Sequence, residues 1–198
     1  MRVVLATANP GKQREFADLL APLGLELVLQ STLGVAAVAE TGASFAANAL
    51  LKAAHAAHHT RLPALADDSG LEVRALDGRP GVHSARYAGE WACDADNNRV
   101  LLKEMAAVPD GQRQARYRCV LAWVRAADDP LPLFAHGEWR GAIARQEAGA
   151  GGFGYDTLFI PEGQQVTAAQ LSAPEKNAVS HRGAALRDLL ARLRAARA

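Results

Sequence analysis

The feature that most limits the fold is the abrupt change from an apolar run to a helical pattern at the start of the chain. Residues 2–6 are predicted to form a buried strand, because Arg2 is followed by a continuous apolar run over residues 3–6. Asn9 and Pro10 follow at once, and they favour the N-cap and the first position of a helix. The apolar residues that then recur at helical spacing are Phe16, Leu19, Leu20 and Leu23. A buried strand that runs directly into a helix favours an α/β fold.

The remaining apolar patterns extend this arrangement along the chain. Further strands are predicted over residues 25–30, 62–66, 71–76, 114–125, 131–143 and 155–160. Helices are predicted over residues 44–59, after Asp94 as a cap, and after Ser172, which has capping-box spacing with Glu175. A parallel crossover would return the strand after the first of these helices beside the first strand, and residues 114–125 and 131–143 are expected to form an antiparallel hairpin.

Length and charge limit the possible partners. The 198 residues suffice for one well-buried α/β domain, which we place over residues 1–198. Lysine and arginine total 22 against 21 acidic residues, and a net charge of +1 argues against a surface for nucleic acid. Arg113, Arg116 and Arg118 are therefore predicted to lie on a solvated strand face. A small ligand is expected.

Cysteine usage and hydropathy indicate the compartment. Cys93 and Cys119 lie far apart without metal-ligand spacing, so they are expected to be reduced and unpaired in a cytoplasmic protein. No apolar segment has the length needed to cross a bilayer, so no membrane partner is expected.

The most acidic point of the pattern is Asp67-Asp68-Ser69-Gly70, which stands between two apolar runs. We expect these residues at the point where one strand ends and another begins. A local turn would explain the tetrapeptide, because such residues bond to nearby backbone and tolerate unusual dihedral angles. Two adjacent carboxylates are also the hard oxygen ligands that a metal-assisted reaction on phosphate needs. The second interpretation is favoured because the chain also offers cations for phosphate and a pocket for a base.

Two earlier segments supply candidate cations. A strand-to-helix turn over residues 7–12 combines Thr7, free backbone N–H groups and Lys12, which together favour an anion site. The P-loop pattern fails there, because Ala6 stands where that motif needs glycine. Glu40 and Lys52 lie just upstream of the acidic segment. His55 and His59 share a helix face with Lys52, but an exposed face is favoured over a metal site.

A glycine-rich segment supplies the candidate base pocket. Residues 149–154 have the G-x-G-x-x-G spacing of dinucleotide sites, but a strand pattern follows instead of the required helix. The segment is better interpreted as a turn that exposes Phe153 to a flat ligand, with Asp156 as a hydrogen-bond acceptor. Lys176, His181 and Arg182 then place three cation-capable groups in one helical stretch.

Taken together, these motifs closely resemble the inosine triphosphate pyrophosphatase family. The matching segments follow the family's order across almost the whole chain, and three of them together are highly specific. These are Asp67-Asp68-Ser69-Gly70, Gly152-Phe153-Gly154-Tyr155-Asp156 and Ser180-His181-Arg182.

The resemblance implies hydrolysis of non-standard purine nucleoside triphosphates, such as ITP, dITP and XTP, between the α and β phosphates. Mg²⁺ would be required, with Glu40 and Asp68 as its ligands, and Asp68 would accept the proton of the attacking water. Asp67 would support the metal site. The residues implied to bind the triphosphate are Thr7, Ala8, Asn9, Pro10, Gly11, Lys12, Lys52, Ser69 and Lys176.

For the base, the resemblance implies that Phe153 stacks on the purine while Asp156, His181 and Arg182 contact its polar edge. Gly154 and Tyr155 belong to the same motif. A 6-oxo purine accepts hydrogen bonds from such donors, whereas adenine presents an amino donor and would leave them unpaired.

The implied fold is a mixed elongated sheet flanked by helices, in two lobes with an active cleft between them, assembled as a homodimer. Residues 81–89 are the candidate segment for lining the cleft or the subunit contact. Two alternatives stay open. One is a regulatory protein that binds a purine triphosphate without cleaving it, and the other is a pyrophosphatase for modified pyrimidine nucleotides.

Overall fold

The structure is a computed structural model that describes residues 2–20 and 26–195. The predicted positions Leu23 and Leu25 lie outside the described residues. The strands of the described part are β1 (Arg2–Leu5), β2 (Glu26–Leu29), β3 (Ala64–Val73), β4 (Gln114–Val124), β5 (Leu133–Ile143) and β6 (Phe159–Pro161). Its α-helices are α1 (Pro10–Leu20), α2 (Phe45–Thr60), α3 (Asp94–Glu104), α4 (Ala173–Val179) and α5 (His181–Ala195).

The six strands form one sheet in the order β2-β1-β3-β4-β5-β6. β1 pairs in parallel with β2, where Val4 faces Val28, and with β3, where Leu5 faces Leu65. β5 and β6 pair antiparallel. The predicted parallel crossover is therefore confirmed, because the chain leaves β1 and β2, passes through α2 and returns in β3 beside β1. The mixed α/β class with helices flanking the sheet is confirmed as well.

The chain divides into two compact units. The first comprises Met1–Asp68, Cys119–Gly137 and Arg182–Ala198. Its strands are covered on both faces: Val3 and Leu5 join one buried cluster with Phe16, while Val4 packs in another with Ala53. Strands of a parallel sheet with helices on both sides lack a solvated face, which explains the continuous apolar run at the start of the chain.

The second unit comprises Ser69–Arg118 and Glu138–His181. Its buried cluster includes an aromatic group in which the Tyr117 and Phe159 ring centroids are 4.8 Å apart and those of Trp139 and Phe159 are 5.2 Å apart. Arg113 is buried beneath this unit's surface, where its guanidinium donates to the carbonyls of Met105 and Ile143. The predicted solvated position is therefore wrong for Arg113, because backbone carbonyls satisfy its charge inside the protein.

The acidic tetrapeptide lies inside β3 and not at the end of a strand. The turn interpretation of Asp67 and Asp68 fails because both carboxylates find cations across the strand and need no local backbone partner. Similarly, the strand predicted from Tyr155 begins only at Phe159. Residues 155–158 form turns instead, in which the amides of Leu158 and Phe159 donate to the carbonyl of Tyr155.

Two helix boundaries also differ from the prediction. Asp94 is the first residue of α3 and Cys93 occupies the cap, so the side chain of Asp94 is available for another partner. The single helix expected after Ser172 is two helices, because Ser180 adopts an extended conformation between α4 and α5. The capping box at Ser172 and Glu175 is confirmed, whereas no glycine or proline in the sequence marks the break at Ser180.

Candidate functional site

Asp67 and Asp68 point to opposite faces of β3, because successive side chains of a strand alternate. The Asp67 carboxylate lies 2.8 Å from Lys12 Nζ and 3.6 Å from Arg182 Nε. The Asp68 carboxylate lies on the side of α2, where Lys52 Nζ is 3.2 Å away. The two neighbouring carboxylates therefore have different nearest cations, although the charge of Lys52 also acts on Asp67.

Lys52 joins Asp68 to Glu40. Its Nζ atom donates to Glu40 Oε1 at 2.5 Å and to Asp68 Oδ1 at 3.2 Å. Burial alone would lower the pKa of Lys52, but the carboxylates of Asp67, Asp68 and Glu40 outweigh it and raise that pKa. Burial raises the pKa of Asp68, and the nearby Glu40 carboxylate adds to this effect against the opposing influence of Lys52. The carboxylates of Glu40 and Asp68 thus converge on one positive charge.

Asn48 fixes the orientation of Asp68, and the sequence prediction missed this role. Its side chain is fully buried, where Nδ2 donates to Asp68 Oδ2 at 3.1 Å and Oδ1 accepts from the amide of Gly42 at 2.7 Å. A Cβ atom at Gly42 would stand 2.6 Å from Asn48 Oδ1, so only glycine permits this approach. Asn48 therefore ties the segment after Glu40 to Asp68. The one available signal was its place four residues before Lys52 on the same helix face.

The turn at the start of α1 has the predicted cap, but the amides of Asn9 and Lys12, which were predicted to be free for an anion, are bonded to side chains of the turn itself. Asn9 Oδ1 accepts from the amide of Lys12 at 3.1 Å, which confirms Asn9 as the cap. Thr7 Oγ1 accepts from the amide of Asn9, and the Thr7 carbonyl accepts from Gln13 Nε2. Ala8, Asn9 and Pro10 are exposed and Gly11 is buried, so the turn presents its first residues to solvent.

Arg182 is held on the other face of β3 by two acidic residues. Its guanidinium donates to Glu15 Oε2 at 2.7 Å and lies beside Asp67, and its side chain is only 4% exposed. Burial alone would raise the pKa of Asp67, but Lys12, Arg182 and Lys52 outweigh it and hold that pKa far below its usual range. These contacts favour an anchoring role for Asp67 toward two cations. Glu15 was not predicted, and its position on α1 carried no distinguishing signal.

In the second unit, the turn around Phe153 is closed by Asp156. The Phe153 amide donates to Asp156 Oδ2 at 2.9 Å, and Lys176 Nζ lies 2.6 Å from the same oxygen. Gly152 has a φ of +72°, and a Cβ atom there would stand 2.2 Å from Asp156 Oδ2. Lys176 Nζ also lies 4.9 Å from the centroid of the half-buried Phe153 ring, within the range of a cation–π contact. Lys176 thus supports the aromatic turn directly.

His181 takes part in a stack of aromatic rings. Its ring lies nearly parallel to that of Tyr117, with centroids 4.6 Å apart and an interplanar angle of 6°. The centroid of the Trp139 ring lies 6.4 Å from that of His181, with an interplanar angle of 19°. The three cation-capable groups predicted near the start of the last helix therefore have separate partners: Asp156 for Lys176, aromatic rings for His181, and Glu15 with Asp67 for Arg182.

The predicted site residues divide between the two units. The first unit contains Thr7, Ala8, Asn9, Pro10, Gly11, Lys12, Glu40, Lys52, Asp68 and Arg182. The second contains Ser69, Phe153, Gly154, Tyr155, Asp156, Lys176 and His181. Within each unit the structure brings several predicted residues into contact: carboxylates with cations in the first, and an aromatic ring with polar side chains in the second.

Glu40 and Asp68 are the predicted metal ligands. Within the described ranges, no group of three or more His, Cys, Asp or Glu side chains could hold a metal ion. Glu40 and Asp68 nevertheless both contact Lys52 Nζ, so two hard oxygen donors already converge on a cation. Mg²⁺ in enzymes of this kind is usually bound by one or two protein carboxylates together with phosphates of the substrate. Glu40 and Asp68 fit that pattern. His55 and His59 have ring centroids 4.5 Å apart. His59 is exposed as predicted, whereas His55 is half-buried and its Nε2 atom lies 3.1 Å from the Ala36 carbonyl.

No helix in the described part of the chain is long and apolar enough to span a membrane. Cys93 is exposed, Cys119 is buried, and both are free, as predicted.

Comparison with known proteins decides the family. The sequence profile of the Ham1 family matches residues 3–192. The chain belongs to the Ham1 family. Ham1-family relatives include a dITP/XTP pyrophosphatase of Escherichia coli (strain K12), 56% identical over 193 residues that cover 98% of each chain. A dITP/XTP pyrophosphatase of Photorhabdus laumondii is 58% identical over 194 residues, again with 98% of each chain covered.

Solved Ham1 structures share the fold. The HAM1 protein of Coxiella burnetii superposes with a TM-score of 0.89 at 46% identity, with 98% of both chains covered. The Ham1 protein of Staphylococcus aureus gives a TM-score of 0.86 at 36% identity and covers 98% of this chain and 99% of its own. The predicted family resemblance is thereby confirmed.

Proposed function

We propose that this protein hydrolyses non-standard purine nucleoside triphosphates, among them ITP, dITP and XTP, to the monophosphate and pyrophosphate in a Mg²⁺-dependent reaction. The names of its Ham1 relatives support the reaction and the substrate class. The observation that carries the proposal is the convergence of Glu40 and Asp68 on Lys52. A protein that only bound the triphosphate would have no use for two converging carboxylates, which repel its phosphates.

The first unit would bind the triphosphate. Lys12 and Lys52 supply positive charge, and the positive end of the α1 dipole lies at the turn over residues 7–12, of which Ala8, Asn9 and Pro10 are exposed. Asp67 holds Lys12 in place. Because charge-assisted hydrogen bonds to phosphate are stronger than neutral ones, these groups would offset much of the substrate charge.

Asp68 would accept the proton of the attacking water. Burial raises its pKa, which makes it a better proton acceptor than an exposed aspartate. Asn48 Nδ2 fixes one carboxylate oxygen and Lys52 contacts the other. Glu40 and Asp68 would hold Mg²⁺, whose role when bound is to offset phosphate charge and acidify bound water.

The second unit would select the base. The Phe153 ring offers a stacking surface, and Lys176 and Asp156 hold its turn. His181 is the donor of this unit proposed to meet a 6-oxo acceptor, which adenine lacks. Arg182, which the resemblance assigns to the same base edge, belongs to the first unit, where its guanidinium contacts Glu15 and Asp67. The cleft between two lobes stays a prediction, as does the role of residues 81–89.

We further propose that the protein is a cytoplasmic homodimer with no nucleic acid or membrane partner. The net charge of +1 supports the absence of a polyanion surface.

One experiment separates the candidate functions. The protein is incubated with ITP, dTTP and ATP plus Mg²⁺, and pyrophosphate and orthophosphate are measured separately. Release of pyrophosphate from ITP, with little from ATP or dTTP, is expected. Binding of ITP without release would indicate the regulatory protein, and turnover of dTTP or a modified pyrimidine in preference to ITP would indicate the other pyrophosphatase.

A further inference from the structure

Helix α3 holds both backbone polar groups of Gly154, the residue that follows Phe153. Asp94 Oδ2 accepts from the Gly154 amide at 2.6 Å, and Asn98 Nδ2 donates to the Gly154 carbonyl at 3.3 Å. Asp94 and Asn98 are four residues apart on the helix, so their side chains share one face. Neither residue was predicted to act at the site.

Asn98 ties the same turn to two further groups. Its Nδ2 atom also lies 3.1 Å from Thr157 Oγ1 and 3.2 Å from Glu147 Oε2. Thr157 Oγ1 in turn donates to Glu147 Oε2 at 2.7 Å. Asn98 is 2% exposed, and its Oδ1 atom has no hydrogen-bond partner among the described residues. The amide nitrogen of Asn98 is therefore shared between the segment around Gly154, through the Gly154 carbonyl and Thr157, and the carboxylate of Glu147.

The hydrogen bonds from Asp94 and Asn98 to Gly154, called the clamp below, restrict a segment that its glycines would otherwise make flexible. Gly151, Gly152 and Gly154 surround Phe153, and glycine loses more conformational freedom on ordering than any other residue. If that freedom were lost only when a base binds, the affinity for the base would fall accordingly. Hydrogen bonds that order the turn beforehand remove this cost from the binding step.

We propose that Asp94 and Asn98 are positioning residues that hold the Phe153 turn in the geometry for stacking on a purine. The inference rests on the proposed function, because it assigns a base to this turn. Neither residue touches the reacting phosphates in this scheme. The clamp acts on base affinity and base choice, and not on the chemical step.

The test uses a matched pair of carboxylates at one helix terminus. Asp94 and Asp96 both lie in the first turn of α3, but Asp96 bonds to Cys93 and Arg99 and not to the Phe153 turn. Asp94→Ala and Asp96→Ala remove the same charge from the same helix end. Calorimetry measures the Kd of each variant for inosine monophosphate and for pyrophosphate.

We expect Asp94→Ala to weaken inosine monophosphate binding about tenfold, equivalent to ~1.4 kcal/mol, with pyrophosphate binding unchanged. The Kd of Asp96→Ala for each ligand should stay within about twofold of the wild-type value. Asp94→Asn keeps an acceptor for the Gly154 amide and should restore most of the affinity. Asn98→Ala should resemble Asp94→Ala, and both should lower the preference for ITP over ATP in kcat/KM.

Each alternative result has a definite meaning. Equal inosine monophosphate affinity in Asp94→Ala and Asp96→Ala overturns the clamp, as does an equal loss of affinity for both ligands, which would indicate general destabilisation. If Asn98→Ala does not fold, the Asp94 and Asp96 comparison decides alone. If the wild-type protein binds inosine monophosphate but hydrolyses no purine triphosphate, the proposed function is overturned. The clamp is then still decided by the inosine monophosphate affinities of Asp94→Ala and Asp96→Ala. A wild-type protein that binds no inosine monophosphate overturns both.

Discussion

Two adjacent carboxylates of β3 have pKa values displaced in opposite directions. Asp67 and Asp68 differ by one position, but the alternation of the strand gives Asp67 two close cations and gives Asp68 one lysine shared with Glu40. The pKa of Asp67 is lowered, so this residue stays ionised as an anchor. The pKa of Asp68 is raised, which suits a proton acceptor. The two residues have different partners because the strand alternates its side chains and because α1, α2 and α5 bring different cations to its two faces.

Replacing Asp68 by asparagine should remove most turnover and leave the fold intact. An amide of nearly the same shape cannot accept the proton, and loss of a general base costs about 10²–10⁴-fold in rate. Pyrophosphate release from ITP and thermal unfolding are measured together. Asp18→Asn, which alters an exposed carboxylate of α1, is the control and should keep wild-type turnover. Equal activity in Asp68→Asn would remove Asp68 from its catalytic role.

Replacing Asp67 by asparagine should change how stability depends on pH. A carboxyl whose pKa is lowered in the folded state stabilises it above the unfolded pKa of about 3.9, and this contribution is lost as the pH falls toward the lower folded value. At pH 7, Asp67→Asn should cost about 3–5 kcal/mol, because it leaves buried cations without their anion. Between about pH 5 and 3, the stability of the variant should fall less steeply than that of the wild type.

Urea unfolding at pH 7 and at acid pH measures both effects. Asp110→Asn is the control, because Asp110 pairs with Arg145 on the surface with its side chain 79% exposed. A pH dependence identical in Asp67→Asn and wild type would contradict the assigned pKa.

At the level of elements, most boundaries followed from local signals. Asn9 with Pro10, Ser44 and Ser172 mark the starts of α1, α2 and α4, because each cap satisfies backbone amides within its own first turn. The break at Ser180 carries no such signal. The continuity of β3 through Asp67 was missed for a different reason: it depends on cations brought from distant segments, which no local pattern encodes.

The capping box of α4 provides a test at this scale. Ser172 Oγ accepts from the amide of Glu175, and the Glu175 carboxylate accepts from the amide of Ser172. Ser172→Ala should lower the free energy of unfolding by about 1 kcal/mol, whereas Ser172→Asp, which retains an acceptor, should lower it by less. Because α4 carries Lys176, the alanine variant should also raise KM for ITP more than it changes kcat. Equal stability of all three proteins would contradict the role of the cap.

At the level of the whole molecule, the site depends on contacts between residues far apart in sequence. Arg182 bonds to Glu15 across 167 positions, and Asn48 bonds to Asp68 across 20. The family resemblance predicted Asp68, Glu40 and Lys52 as site residues, and the structure brings these three together. It did not predict Glu15, Asn48, Asp94 or Asn98. Their partners are fixed by tertiary packing, and in the sequence they look like ordinary polar helix residues.

Addition of Mg²⁺ should stabilise the whole protein against heat. A ligand that binds only the folded state at 100 times its Kd stabilises it by about 2.7 kcal/mol. The melting temperature is measured with Mg²⁺ and with K⁺ at equal ionic strength, and only Mg²⁺ should raise it. Glu40→Gln should abolish this rise, while Glu26→Gln, which alters an exposed carboxylate paired with Arg2, should retain it. An equal rise in Glu40→Gln would place the ion elsewhere.

The position of Lys52 between Glu40 and Asp68 affects how the protein folds and how stable it is without a metal ion. Acidic centres that depend on an external ion are repulsive until that ion arrives, and nascent chains must wait for it. Here a side chain of the same polypeptide neutralises the repulsion from the moment the fold forms. The protein is therefore expected to fold and stay folded when divalent ions are scarce. Its fold should be complete before either the ion or the nucleotide binds.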